Sequence, residues 1–164
     1  MKKTKTRISY HRKKSGKTNY KKRLALLKSQ KDRLTIRRSN KYVMLQIIKY
    51  EPAGDKVLVS VSSSVLLRLG WKYSCKNIPA CYLTGLLFGK TASEKKLKEA
   101  VLDLGLQTPI KGSRLYATLK GVVDSGLKVP CSEEVFPNEE RITGKHISEK
   151  ILKDFESIKT KITK

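Results

Sequence analysis

The first 41 residues of this chain contain an excess of positive charge that limits how it can fold more than any other property of the sequence. They contain 17 Lys and Arg and one acidic residue, Asp32, whereas residues 42–164 contain 20 basic and 13 acidic residues. Large aliphatic side chains are almost absent before Leu24, so this stretch cannot bury enough apolar surface to fold alone against its own repulsion. We therefore expect residues 1–17 to form a basic arm that becomes ordered on a polyanion.

Aromatic residues occur between these cations, and they indicate which kind of polyanion the arm binds. Tyr10, His11 and Tyr20 are interleaved with Lys and Arg, a composition that suits stacking and phosphate contact with RNA. The two alternatives are a solvated tail and a localisation signal. Either would need only the positive charge and not the aromatic residues. Each neutralised phosphate releases condensed counterions, so binding should depend strongly on salt.

The remaining composition sets the class of protein. The 164 residues are 38% apolar, which is enough for one core with appendages. No apolar run approaches the ~20 residues that cross a bilayer, and no hydrophobic signal stretch is present. The three cysteines lack the paired spacing of zinc ligands or of a disulfide framework. We expect a cytoplasmic protein with reduced thiols, no membrane contact and no bound metal.

The first half of the chain predicts a short helix followed by an antiparallel meander. Thr18 or Asn19 can cap a helix that runs to about Lys28. Alternating apolar residues predict strands over Arg33–Arg38, residues 42–50 and Lys56–Ser62, joined by tight turns. In the first strand, Arg33, Thr35 and Arg37 should form a cationic face.

The second half predicts helices and a parallel crossover. A buried helix should be capped by Asn77, with Gly85 permitting close packing, and continue as a charged stretch to Lys98. A strand over residues 101–106, a helix capped by Ser113, and a strand around residues 127–130 form a crossover unit that implies parallel pairing. The predicted fold class for residues 18–146 is α/β, a mixed sheet flanked by helices.

The C-terminal segment, residues 147–164, predicts one more helix, from Ile147 to about Lys159. Ile151, Phe155, Ile158 and Ile162 recur at helical spacing. This stripe is either a face docked on the core or a site for a partner.

Candidate catalytic patterns are weak. Gly89-Lys90-Thr91 lacks the upstream glycine and the preceding strand of a phosphate-binding loop. Asp103 and Asp124 have no nearby second carboxylate in the sequence to hold magnesium, and we expect Asp103 to bond to backbone groups instead. His11 and His146 form no obvious base with a cysteine. We expect no catalytic residue and no cofactor.

Five blocks of the sequence, taken in order, resemble a known family. They are YHRKKSGKTNY at 10–20 with Arg23; RSNK at 38–41; NIPACYLTG at 77–85; DLGL, KGSRLYA, LKG and DSGL at 103–106, 111–117, 119–121 and 124–127; and Pro137, ERI at 140–142, Gly144 and HI at 146–147. Together they are similar to the archaeal form of the large-subunit ribosomal protein eighteen family, related to the eukaryotic large-subunit protein five.

The resemblance implies a non-enzymatic structural constituent of the large ribosomal subunit. Such a protein binds 5S rRNA, helps anchor it to large-subunit rRNA in the central protuberance, and lies beside other ribosomal proteins, including another 5S-associated one. The residues that we expect to contact RNA are Arg7, Tyr10, His11, Arg12, Lys13, Lys14, Lys17, Thr18, Tyr20, Arg23, Arg37, Asn40, Lys41, Lys111, Ser113 and Arg114. Residues 111–114 precede a helix N-terminus, whose amides can receive a phosphate, although a glycine turn with a serine cap explains the same residues.

Two other functions use the same charge. A DNA-binding architectural protein would bind duplex DNA at least as well as folded RNA, although no helix-turn-helix or zinc-finger pattern is present. An enzyme acting on RNA would lose its activity on substitution of a catalytic acid, for which Asp103 is the candidate.

Overall fold

The computed structural model of the chain describes residues 8–163. Within this range the strands are β1 (Arg33–Arg38), β2 (Val43–Lys49), β3 (Lys56–Ser62) and β4 (Val101–Asp103). The helices are α1 (His11–Lys14), α2 (Tyr20–Leu27), α3 (Val65–Arg68), α4 (Ile78–Glu94), α5 (Arg114–Asp124), α6 (Glu139–Thr143) and α7 (Glu149–Thr163), with a 3₁₀ turn at Glu133–Val135. No helix between residues 8 and 163 is both long and apolar enough to span a membrane.

The strands form one mixed sheet in the order β3-β2-β1-β4. β1 pairs antiparallel with β2, with Leu34 opposite Ile47 and Ile36 opposite Leu45. β2 also pairs antiparallel with β3, and β4 lies parallel to β1. The chain passes from β3 to β4 through α3 and α4, which provide the long connection that β4 needs to lie parallel to β1. The predicted α/β fold with a mixed sheet and flanking helices is confirmed.

Two strand predictions from the second half of the sequence are wrong in detail. β4 ends at Asp103, not at residue 106, because Asp103 Oδ1 accepts a hydrogen bond from the Gly105 amide at 2.8 Å and Gly105 turns the chain at φ +61°. Residues 127–130 form no strand and make one parallel bridge, between Glu99 and Lys128. Pro130 has no N–H to extend that pairing. The parallel pair is therefore made by β4 before α5, not by a strand after it.

Helix α4 lies between two apolar cores, as its almost continuous apolar sequence predicts. On one side, Cys81 and Phe88 pack with sheet residues such as Leu34 and Ile36 and with α5. On the other side, Tyr82 and Leu83 pack with α7 and with the residues around Trp71. A helix buried on both sides in this way fixes the positions of its neighbours.

The two helices α4 and α5 cross at a pair of glycines. A Cβ atom on Gly85 would overlap the Thr118 carbonyl oxygen, and one on Gly121 would overlap the Tyr82 carbonyl oxygen. The backbones can approach this closely only without side chains at the crossing. The close packing predicted for Gly85 is confirmed.

The C-terminal helix is docked on the body of the protein. Ile151, Phe155, Ile158 and Ile162 are all buried, in a core shared with α4. The helix starts at Glu149 and runs to Thr163, two residues later and four residues further than predicted, and Ile147 before it is 52% exposed. Of the two alternatives for this stripe, the docked face is the one observed.

Candidate nucleic-acid interface

The described part of the basic arm forms a short helix joined by a turn to α2. Arg12 Nε donates to Thr18 Oγ1 at 2.9 Å, which ties α1 to the turn. Asn19 Oδ1 accepts from the Lys22 amide at 3.1 Å. Asn19, not Thr18, is therefore the cap of α2, and Thr18 serves the turn.

Exposed cations without acidic partners cover this segment. Between residues 8 and 27 these are Arg12, Lys13, Lys14, Lys17, Lys21 and Lys22, none of which makes an ion pair with the described residues. His11 is also exposed, and Arg7 lies outside the described residues. The first turn of α2 contains no acid, although the helix dipole favours negative charge there. An anion bound at this turn would remove that conflict.

The two predicted stacking tyrosines contact each other. The ring centroids of Tyr10 and Tyr20 are 5.1 Å apart with an interplanar angle of 43°. This contact joins the start of α1 to the first residue of α2. Tyr10 remains 71% exposed, so it has ring surface available to a base or a ribose.

Behind this segment, three arginines share two carboxylates. Arg23 Nη2 lies 2.9 and 2.8 Å from the two carboxylate oxygens of Asp55. Arg33 bridges Asp55 and Asp103, with N–O distances of 2.6 and 2.8 Å. Arg37 Nη2 lies 3.6 Å from the Asp103 carboxylate, and Arg37 Nη1 donates to the Asp103 carbonyl oxygen at 2.9 Å. The network joins α2, β1 and β4, and it keeps a surplus of one positive charge.

This network corrects the expected cationic face of β1. Arg33 and Thr35 are buried, 3% and 2% exposed, so neither is available to a ligand. Arg23 and Arg37, both predicted as RNA contacts, have acidic neighbours, and the Arg37 side chain stays 45% exposed. As predicted, Asp103 bonds to a backbone amide, but sequence patterns gave no sign of its arginine partners.

The turn between β1 and β2 presents two further predicted residues. Ser39 Oγ accepts from the Tyr42 amide at 2.9 Å, and the Ser39 amide donates to the Tyr42 carbonyl oxygen at 2.8 Å. These bonds close the tight turn that the sequence predicts. Asn40 and Lys41 stand exposed at its tip.

The last predicted RNA contacts lie in two different environments. They are Lys111, Ser113 and Arg114. Lys111 is exposed and lies 3.4 Å from Glu134. Ser113 and Arg114 line a cleft of about 570 Å³ between the first turns of α4 and α5, which we name the α4/α5 cleft. Ser113 occupies the cap position of α5, yet its side chain makes no capping bond.

Four residues of the α4/α5 cleft were missed by sequence reasoning. They are Arg38, Lys76, Arg141 and His146, and they come from three separate parts of the chain: the end of β1, the segment before α4, and α6 with the turn after it. Arg38 belongs to the RSNK block, and Lys76 precedes the Asn77 cap of α4. The sequence positions of Arg38 and Lys76 were the only local indications of a role. A sequence pattern does not show that these residues line the same cleft as Arg141 and His146.

Two of the groups considered for catalysis, Asp124 and Cys81, are engaged in protein contacts. Asp124 accepts from the Tyr82 hydroxyl at 2.9 Å and pairs with Lys120 at 3.0 Å. Burial raises the pKa of the Cys81 thiol to about 12, so it is uncharged and a poor nucleophile at neutral pH. The three cysteines are free thiols, and residues 8–163 hold no cluster of three metal-ligating side chains.

Comparison with known proteins gives the family. The family described as "Ribosomal large subunit proteins 60S L5, and 50S L18" matches residues 4–99, more than half of the chain. The chain is also 48% identical over 142 residues to the large ribosomal subunit protein uL18 of Korarchaeum cryptofilum (strain OPF8), an alignment that covers 87% of this chain and 73% of that protein. These matches and the α/β fold agree with the resemblance found in the sequence blocks. The chain belongs to the family of ribosomal large subunit proteins 60S L5 and 50S L18.

Proposed function

We propose that this large-subunit ribosomal protein binds 5S rRNA and helps anchor it to the large-subunit rRNA in the central protuberance, as a structural and non-enzymatic component. Its partners are these two RNAs and neighbouring large-subunit proteins, including another 5S-associated protein, on the cytoplasmic ribosome. Membership of the family supports the ribosome as the place of action. The observation that carries RNA binding is the set of exposed cations without acidic partners on α1, the turn and α2.

The mechanism follows from what these residues can contact. Lys13, Lys14 and Lys17 neutralise backbone phosphates, and the exposed ring of Tyr10 stacks on a base or packs on a ribose. Lys41 and Asn40 extend the surface to the turn of the sheet. Side chains cannot enter the narrow A-form major groove, so these contacts recognise RNA shape and backbone more than sequence.

The network of Arg23, Asp55, Arg33, Asp103 and Arg37 serves as the support of this surface. It fixes α2 to β1 and β4 through buried or half-buried ion pairs. The cations of α1 and α2 are then presented from a rigid body, which lowers the ordering cost of binding.

Filter binding of the full chain to an archaeal 5S rRNA transcript across salt concentrations tests the proposal. We compare Lys13→Gln/Lys14→Gln with the matched control Lys150→Gln/Lys153→Gln, which removes two exposed lysine charges from α7. Two lost phosphate contacts reduce the slope of log affinity against log salt by about 1.4 to 1.8, at ~0.7–0.9 per contact. The control should keep the parent slope.

Two further measurements separate the other two functions: filter binding to duplex DNA, and an RNA cleavage assay with magnesium. Binding to duplex DNA as tight as to 5S rRNA would favour the architectural DNA-binding protein and reject our proposal. Turnover of RNA with magnesium that is lost in Asp103→Asn would favour an enzyme. We expect neither, because no DNA-reading motif is present and the Asp103 carboxylate is held by Arg33 and by the Gly105 amide.

A further inference from the structure

The α4/α5 cleft gathers positive charge without any counter-charge. Arg38, Lys76, Arg114 and Arg141 line it, together with His146 and no acidic residue. None of the four cations makes an ion pair within the described residues 8–163. Like charges brought together in a cleft repel, so this arrangement lowers stability unless an anion occupies the cleft.

A buried hydroxyl in the same cleft lacks a partner. Ser113 Oγ is shielded from solvent and makes no hydrogen bond to any of residues 8–163. A serine at the cap position normally accepts a bond from a first-turn amide, but Ser113 does not, although its backbone has the extended conformation of a cap, φ −80° and ψ 168°. The Ser113 hydroxyl therefore has an unused donor, which can reach a ligand once rotation about χ1 turns Oγ toward the cleft, and the first-turn amides of α5 have no side-chain acceptor.

The two flanking helices add to this anion preference. Helix α4 has 17 residues and α5 has 11, and the first turns of both line the cleft, where their dipoles are positive. Asn77 already caps α4 by accepting from the Ala80 amide at 2.9 Å. The amides of α5 are thus the ones that a ligand oxygen would satisfy.

We propose that the α4/α5 cleft binds a backbone phosphate of the rRNA, with a phosphate oxygen accepting from the Ser113 hydroxyl and the first-turn amides of α5, and with Arg114 and Arg141 as counter-charges. The inference rests on the proposed RNA-binding function and assigns to it a second contact site. The cleft volume of about 570 Å³ is in the range of ligand pockets, roughly 300–1,000 Å³. Ile110 and Ile147, 63% and 52% exposed, line the same cleft and provide apolar surface for a ribose or base.

Ethylation interference on 5S rRNA tests the site directly. The variant is Arg141→Gln, and the matched control is Arg68→Gln, since both arginines are exposed and lie in the last turn of a short helix outside the basic arm. We expect at least one phosphate whose ethylation blocks the parent and Arg68→Gln but no longer affects Arg141→Gln. The salt slope of Arg141→Gln should fall by about 0.7–0.9, the share of one phosphate, and that of Arg68→Gln should not change.

A second measurement on the full chain uses inorganic phosphate. Amide NMR shifts of residues 114–116 should move with phosphate but not with chloride at equal ionic strength, and Ser113→Ala should reduce the shift. Ser113→Ala should not change the thermal unfolding temperature by more than about 1 °C, because no capping bond is lost. Thermal unfolding of each variant also establishes that it is folded.

The outcomes distinguish this inference from the proposed function. If the chain does not bind 5S rRNA at all, the proposed function fails and this inference fails with it. If the chain binds 5S rRNA but Arg141→Gln keeps the parent interference pattern and slope, only the cleft inference is overturned. Phosphate-dependent amide shifts together with an unchanged interference pattern would mean a site for free anions, which also overturns it.

Discussion

Substitution of Arg33 tests the contribution of the ion-pair network to stability, because the Arg33 guanidinium contacts two carboxylates in a nearly solvent-free position. The Arg33 side chain is 4% exposed, and those of Asp103 and Asp55 are 10% and 25% exposed. Arg33→Met keeps most of the volume but leaves Asp103 with the Gly105 amide and with Arg37 at 3.6 Å. Breaking a buried pair costs about 3–5 kcal/mol.

We expect the lower end of that range, about 3 kcal/mol, because both carboxylates keep other partners. A chain of this size loses about 2–4 °C in Tm per kcal/mol, so Arg33→Met should unfold about 6–12 °C below the parent by circular dichroism. Arg33→Met/Asp103→Asn removes the stranded charge and should recover part of the loss. A Tm within 1 °C of the parent, or a double variant less stable than Arg33→Met alone, would refute the reasoning.

Three further predictions concern the cores and the thiols. Gly85→Ala would normally stabilise a helix, but here the Cβ overlaps the Thr118 carbonyl oxygen, so urea unfolding should show a loss of about 1–3 kcal/mol, and any gain would contradict the described crossing. Phe155→Ala should lower the unfolding free energy by about 3–5 kcal/mol, because the ring is buried in the core shared by α4 and α7; a loss below 1 kcal/mol would mean that α7 is not docked in solution. An alkylating reagent at pH 8 should modify exposed Cys131 first. Cys81, whose pKa of about 12 exceeds the ordinary thiol value, should remain uncharged and unmodified until the chain unfolds, and equal rates would contradict its burial.

Local patterns were sufficient for the antiparallel part of the fold. Strand β1 has the predicted bounds, and β2 differs only at its ends, because alternating apolar residues and short turns fix both face and register. The helix starting after Asn77 was also predictable, since a cap with proline in the first turn is a local signal. The parallel pairing was assigned to the wrong segment, because β4 and residues 127–130 have similar apolar character and differ mainly in their distant partners.

The functional surfaces, like the fold, were predictable only where they depend on residues that are close in the sequence. The cations of α1 and α2 were predictable because they are contiguous and stay exposed. The burial of Arg33 was not predictable, since its partners Asp55 and Asp103 lie 22 and 70 positions further along the chain. The α4/α5 cleft likewise collects residues that are far apart in the chain, since Arg38 at the end of β1 and Arg141 on α6 both line it.

In-cell ultraviolet crosslinking of the full chain, followed by sequencing of the attached RNA and mapping of the attached peptide, tests the central claim most directly. The account predicts that 5S rRNA is the most enriched RNA and that the crosslinked peptide includes Tyr10 or Tyr20. Crosslinks spread over cellular RNAs without enrichment of 5S rRNA, or confined to peptides outside residues 8–23 and the α4/α5 cleft, would contradict it.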